Sequence, residues 1–148
     1  MIVTYPNELL RQKSAPVTPE EIKSGEIKAI IAEMQKELKK ADGIGLAAVQ
    51  IGVLKQIILV EVEGSVHAFL NAKIIKKSWK KIAVEEGCLS VPGQNGYVKR
   101  SASLKLSALD ENGEKITLET QGLTSIIFQH EIDHTNGILF IDKLIKKT

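Results

Sequence analysis

The chain has 148 residues, 43% apolar and 26% charged, with 20 basic and 18 acidic side chains leaving a net charge of +2. That length suits one domain with one core, and no block of like charge is long enough to form a nucleic-acid arm. Aromatics at 4% leave little for base stacking, and no run approaches the roughly 20 apolar residues of a membrane span.

Met1–Asn7 has neither the basic nor the apolar region of a signal peptide. The first strong element is a helix: Thr18-Pro19-Glu20-Glu21 offers a capping residue, a proline at the first helical position and an acid three residues on. Gly25 breaks its opening turn. Ile27, Ile30, Ile31, Met34 and Leu38 then recur at spacings of three and four, and Asp42-Gly43 ends the helix. Strands are predicted at Gln56–Val62, Val66–Leu70, Lys73–Lys77, Lys80–Val84, Ala102–Ala108 and Lys115–Thr120. Leu104, Leu106 and Ala108 point inward, as do Ile116 and Leu118. A second helix runs from about Gly122 to Asn136 and closes at Gly137. Helix first, strands in the middle and helix last indicate an α+β fold with mainly antiparallel pairing. His67 is read as exposed and Trp79 as a packing residue. The lysines at 36–40, 76–81 and 146–147 are read as solvated faces.

The second helix carries His130-Glu131-Ile132-Asp133-His134, the pattern H-E-x-x-H. Histidines four apart share one helix face and can reach one metal ion, while Glu131 stands about 100° around the helix, free to handle protons. Leu123, Ile126 or Ile127, His130 and His134 fall on one stripe, so the histidines continue a face expected to point into the core. Buried imidazoles need partners, and a metal supplies one for both. Cys88 is the only cysteine, so no internal disulfide can form, and a reducing compartment is the simpler setting. In Glu86-Gly87-Cys88-Leu89-Ser90 its thiolate is the candidate third ligand, leaving the fourth tetrahedral position open. The segment Gly43–Gln50 formally satisfies a dinucleotide-binding fingerprint, but it follows a helix and leads toward a strand, the reverse of that motif's context. It reads either as a glycine turn allowing close packing or as a site-lining strand, with Gln50 offering amide donors.

Together these segments resemble the peptide deformylase family, whose motifs GxGxAAxQ, EGCxS and HExxH stand intact and in order at Gly43–Gln50, Glu86–Ser90 and His130–His134. The resemblance extends to Tyr5-Pro6-Asn7, Leu10-Arg11, Ser90-Val91-Pro92-Gly93 and Arg100. It implies one catalytic domain over residues 1–148, with mainly antiparallel strands packed around a central HExxH-bearing helix and an N-terminal helix. It implies removal of the formyl group from N-formylmethionyl peptides or nascent chains, in the cytoplasm of a bacterium or of a phage host. Cys88, His130 and His134 would bind one Fe2+ per chain, with Zn2+, Ni2+ or Co2+ able to substitute. Metal-bound water would attack the formyl carbon, and Glu131 would take its proton and pass it to the departing amine. The oxyanion would be held by the Gln50 side chain and the Leu89 backbone N–H. By the same resemblance Ile44, Val84, Glu86, Leu123, Ile126 and Ile127 would shape the methionine pocket. Backbone groups of Gly43, Gly45 and Gly87 would align the peptide. Asn95 stands where many members carry arginine. The extended C-terminal helix linked to ribosome docking is not expected, which puts that docking in doubt. No nucleic acid or membrane partner is expected. The alternatives are a zinc endopeptidase built on HExxH and a non-catalytic metal-binding module.

Overall fold

Thr18 caps the first helix as its sequence predicts. Its hydroxyl accepts from the Glu21 amide, and the Glu21 carboxylate accepts from the Thr18 amide, giving a capping box. Helix α1 (Pro19–Lys23) is short because Gly25, at φ +85°, turns the chain before α2 (Glu26–Lys40) begins. The apolar stripe on α2 buries Ile27, Ile31, Met34 and Leu38, as its spacing requires.

The computed structural model describes residues 1–145, so the lysines at 146–147 lie outside the described residues. Strands β1 (Gly45–Ala47), β2 (Ile57–Val62), β3 (Ser65–Lys77), β6 (Ser103–Leu109) and β7 (Lys115–Gln121) form an antiparallel sheet in the order β1-β2-β3-β6-β7. Strands β4 (Lys81–Cys88) and β5 (Val91–Ser101) form a separate two-stranded ribbon. Helix α3 (Gly122–Thr135) follows β7 directly. With mostly antiparallel strands and few helices, the chain is α+β.

Strand β2 organises the core because both of its faces are apolar. Ile58 and Val60 join Phe69, Phe128 and Ile132 in the cluster around α3, and Ile57 and Leu59 join the buried face of α2. Ile and Leu side chains buried on both sides favour a central position, since each contributes about 1.5–3 kcal/mol on leaving water. Its neighbour β1 therefore lies between the two helices, with Leu46 in one cluster and Ala47 in the other.

Four expectations change. The two strands predicted at Val66–Leu70 and Lys73–Lys77 are one strand, and the break between them is a register shift at Asn71, which takes φ +52°. The strand predicted at Lys80–Val84 runs on to Cys88, so the EGC motif lies on β4 rather than after it. Strand β5 has no counterpart in the sequence reading. Proline and glycine such as its Pro92 and Gly93 disfavour the interior of a sheet, yet in a two-stranded ribbon each strand is an edge where they are tolerated. Trp79 does not pack. It is 95% exposed where β3 passes into β4. His67 is exposed, as read.

The end of α3 is set by Gly137, whose φ of +75° lets the chain reverse. A Cβ there would stand 2.4 Å from the Arg11 carbonyl oxygen. Gly137→Ala should therefore cost at least about 2 kcal/mol, combining left-handed strain with a backbone clash. Urea unfolding checks this, and a loss under about 0.5 kcal/mol would contradict it.

Candidate metal centre and active-site cavity

The three candidate ligands come from two elements. Cys88 ends β4, where the ribbon turns through Leu89 and Ser90, while His130 and His134 lie one turn apart on α3. Their ligating atoms all lie within 4.8 Å of one another. The Cys88 Sγ is 3.3 Å from His134 Nε2, close to the roughly 3.5 Å expected between neighbouring sulfur and nitrogen ligands of one tetrahedral ion. His134 Nδ1 and Glu131 Oε1 are buried without a hydrogen-bond partner among the described residues. A half-buried thiol against an imidazole, with an unsatisfied carboxylate oxygen beside them, is a poor arrangement for a plain core and a fitting one for a metal cation.

His130 is oriented from behind. Its Nδ1 lies 2.8 Å from Glu86 Oε1, which assigns the ring proton to Nδ1 and leaves the Nε2 lone pair for a metal. Glu86 is itself held by Arg100, whose Nε and Nη2 donate to its two oxygens at 2.8 and 2.9 Å. The remaining guanidinium nitrogen, Nη1, donates to Asp133 at 2.6 Å, and Lys143 reaches the same carboxylate at 3.0 Å. Burial by itself would raise the Glu86 carboxyl, but Arg100 and His130 outweigh it and hold it at about 2. Burial dominates at Glu131 and pushes its carboxyl up to about 7.

Gln50 sits in the short 3-10 turn Ala48–Ile51. Its Oε1 accepts from the Ala47 amide at 2.9 Å, and its Nε2 donates to Ser90 Oγ at 3.1 Å and approaches Cys88 Sγ at 3.6 Å. The N-terminal segment braces both sides: the amides of Val3 and Tyr5 donate to the carbonyls of Gln50 and Ser90. Gly45 is where β1 passes closest to α3, and a Cβ there would lie 2.5 Å from Glu131 Oε2. At Gly87 a Cβ would meet the Asn95 side chain at 2.5 Å.

A cavity of about 380 Å³ opens over these groups. Gly43, Ile44, Gly45, Gln50, Glu86, Gly87, Cys88, Leu89, Leu123, Ile126, Ile127, His130 and Glu131 line it. His134 stands behind them, almost wholly buried. Val84 is not among the lining residues; it precedes Glu86 by two positions on β4 and packs opposite Val98. Leu123 does not continue a buried stripe: it is 63% exposed and forms part of the rim. Glu86 reaches the cavity, yet its carboxylate is engaged by Arg100 and His130, so it positions a ligand more than it shapes a pocket. The sequence reading missed the Arg100–Asp133–Lys143 chain. Only the place of Asp133 one helical turn from His130 hinted at it.

The sequence profile of the family described as polypeptide deformylase matches residues 1–148. The peptide deformylase of Syntrophomonas wolfei subsp. wolfei is 40% identical over 145 residues, covering 98% of this chain and 93% of that one. A probable peptide deformylase from Synechococcus phage S-SSM7 superposes with a TM-score of 0.90 at 39% identity, covering 97% of this chain and 99% of that one. The Met-Ala-Ser-bound class I type b peptide deformylase of Acinetobacter baumannii gives a TM-score of 0.94 at 30% identity, with 97% of each chain covered. Whole-length likeness in sequence and fold, joined to a thiolate–imidazole donor set in an apolar cavity, makes this chain a member of the polypeptide deformylase family.

Proposed function

We propose that the chain is a metal-dependent hydrolase that removes the N-formyl group from formylmethionine at the start of new polypeptides and releases formate. The observation that carries the mechanism is the meeting, in one apolar-lined cavity, of the Cys88–His130–His134 donors with the unpartnered buried oxygen of Glu131. In this reading α3 is the central element of the fold and supplies two ligands and the proton carrier.

Cys88, His130 and His134 would hold one ion, which would supply Lewis-acid activation of water and of the formyl carbonyl. Iron(II) is the proposed ion, one per chain, and the His₂Cys set also accepts zinc, nickel or cobalt. Glu131 takes a proton from the attacking water and gives it to the departing amine. A carboxyl raised to about 7 by burial suits both transfers near neutral pH. The Gln50 Nε2 and the Leu89 backbone N–H donate to the oxyanion. Ile44, Leu89, Leu123, Ile126 and Ile127 offer the methionine side chain an apolar wall. Val84 supports that wall from behind Glu86. Strand β1 is an edge strand of its sheet, so the backbone at Gly43 and Gly45, with Gly87 across the cavity, can align the peptide as an added strand. With formylated nascent chains as substrate, the proposed setting is the cytoplasm of a bacterium or of a phage host. The endopeptidase reading is not favoured, because the third donor near the histidines is Cys88, upstream on β4, rather than an acid downstream of His134.

Formyl-Met-Ala-Ser should release formate while an internally cleavable peptide with no formyl group stays intact; the reverse pattern would establish the endopeptidase. Glu131→Gln should keep its metal and lose roughly 10²–10⁴ in kcat, since only the proton carrier is gone. A parental rate would remove Glu131 from this role. Cys88→Ala should lose metal affinity by direct metal analysis, and undiminished binding would exclude Cys88 as a ligand. Gly45→Ala should push the end of the Glu131 side chain aside, lowering kcat about tenfold or more while unfolding stability changes much less. An unfolded variant would make Gly45 a packing residue only.

A further inference from the structure

Strand β3 does not pair with β4. It pairs with β6, and β4 pairs with β5, so the chain passes from one ladder to the other at a bend. The Ser78 amide bonds to the Ser103 carbonyl and the Ala102 amide to the Lys80 carbonyl, so the two chain segments stay joined through the bend. Trp79 lies between those contacts, and with both backbone neighbours engaged its indole is left 95% exposed.

The surroundings of Trp79 are cationic. Lys73, Lys76, Lys77, Lys80 and Lys81 fall within nine residues, and no acid occurs between Ala72 and Val84. Lys76 pairs directly across the sheet with Lys105, a like-charge juxtaposition that disfavours the isolated fold. Among the described residues none of these lysines has an ion-pair partner. A second cavity, of about 470 Å³, adjoins the bend; Lys76 and Lys105 line it with hydroxyl and amide side chains, with Leu104 and with one acid, Glu119, which stands opposite Lys105 on β7. In a chain whose net charge is only +2, this concentrates positive charge at one end of the ribbon.

We propose that this bend is a docking surface for single-stranded RNA, in which Trp79 stacks on a base and the lysines contact phosphates. An exposed indole within a lysine cluster meets both requirements of such sites, a stacking face and an electrostatic track. The adjoining groove sets two lysines and several hydroxyl and amide side chains against a single acid, Glu119, a mainly polar lining that suits ribose and phosphate oxygens rather than lipid chains. A low aromatic content does not prevent stacking on one well-placed exposed indole. The surface does not obstruct the cavity over Cys88, because Lys81 and Cys88 are the two ends of β4, about 23 Å apart at the rise of a strand. The proposal does not rest on the deformylase reading.

Trp79 is the only tryptophan in the chain, so its fluorescence reports on this site alone. The metal-loaded protein should be titrated with an oligouridylate of about 12 nucleotides, with heparin and with phosphatidylglycerol vesicles in parallel. RNA should quench the emission saturably, with affinity falling steeply as salt rises. Heparin should compete without quenching. By anisotropy of labelled RNA, Trp79→Ala should bind about tenfold more weakly, and Lys80→Glu with Lys81→Glu at least tenfold. Formate release from a short peptide should be unchanged in both. Absence of quenching, equal quenching by heparin, affinity indifferent to either variant, or a blue shift with vesicles and none with RNA would each overturn the proposal.

Discussion

A guanidinium that is 2% exposed, Arg100, is the group on which the arrangement of the site depends. A buried cation is tolerated only when its donors are matched, and here Glu86 and Asp133 take its Nε, Nη1 and Nη2. Those partners belong to different parts of the fold: Arg100 to β5, Glu86 to β4 and Asp133 to α3. Lys143, from the 3-10 turn Phe140–Lys143, joins at Asp133. The network thus ties the separate two-stranded ribbon to the helix beside it, and with it the end of β4 that presents Cys88. It also sets the side chain of Glu86 against His130, so one buried cation governs both the docking of an element and the tautomer of a candidate ligand.

A second constraint comes from how closely the backbone must approach. Strand β1 is confined between α2 and α3, and Gly45 brings it against the Glu131 carboxylate with no room for a side chain. The same closeness places Gln50 within reach of both Ser90 and Cys88. Glu131 is consequently almost wholly buried, and one of its oxygens lacks a partner among the described residues. An unsatisfied buried carboxylate is costly in a purely structural setting, and this one lies beside the cavity where proton transfer is proposed.

Much of this was legible in the sequence, and for definite reasons. The Thr18–Glu21 box, the α2 stripe and the i, i+4 spacing of His130 and His134 are local patterns that need no partner to be recognised. Residues that answer to distant partners were harder to read. Arg100 stood out only through the family resemblance, and its role was not readable, because its matching carboxylates lie 14 and 33 positions away. Strand β5 was hidden by Pro92 and Gly93, which are acceptable only because its ribbon has no further strand. Leu123 matched the helical period of a core residue yet stands at a cavity rim, since α3 is buried almost all round and period alone cannot say where an opening falls.

Capping, periodicity and ligand spacing are short-range properties of the chain, so the α+β class, the two main helices and the three motif segments could be read without knowing any tertiary partner. The packing of distant elements brings Cys88 within 3.3 Å of His134. It also decided that Glu86 answers to Arg100 and that Trp79 is left in solvent. Each of these depends on how two ladders meet at a bend and dock on one helix, and pairing across such distances is settled by collective burial rather than by any local preference of the residues involved.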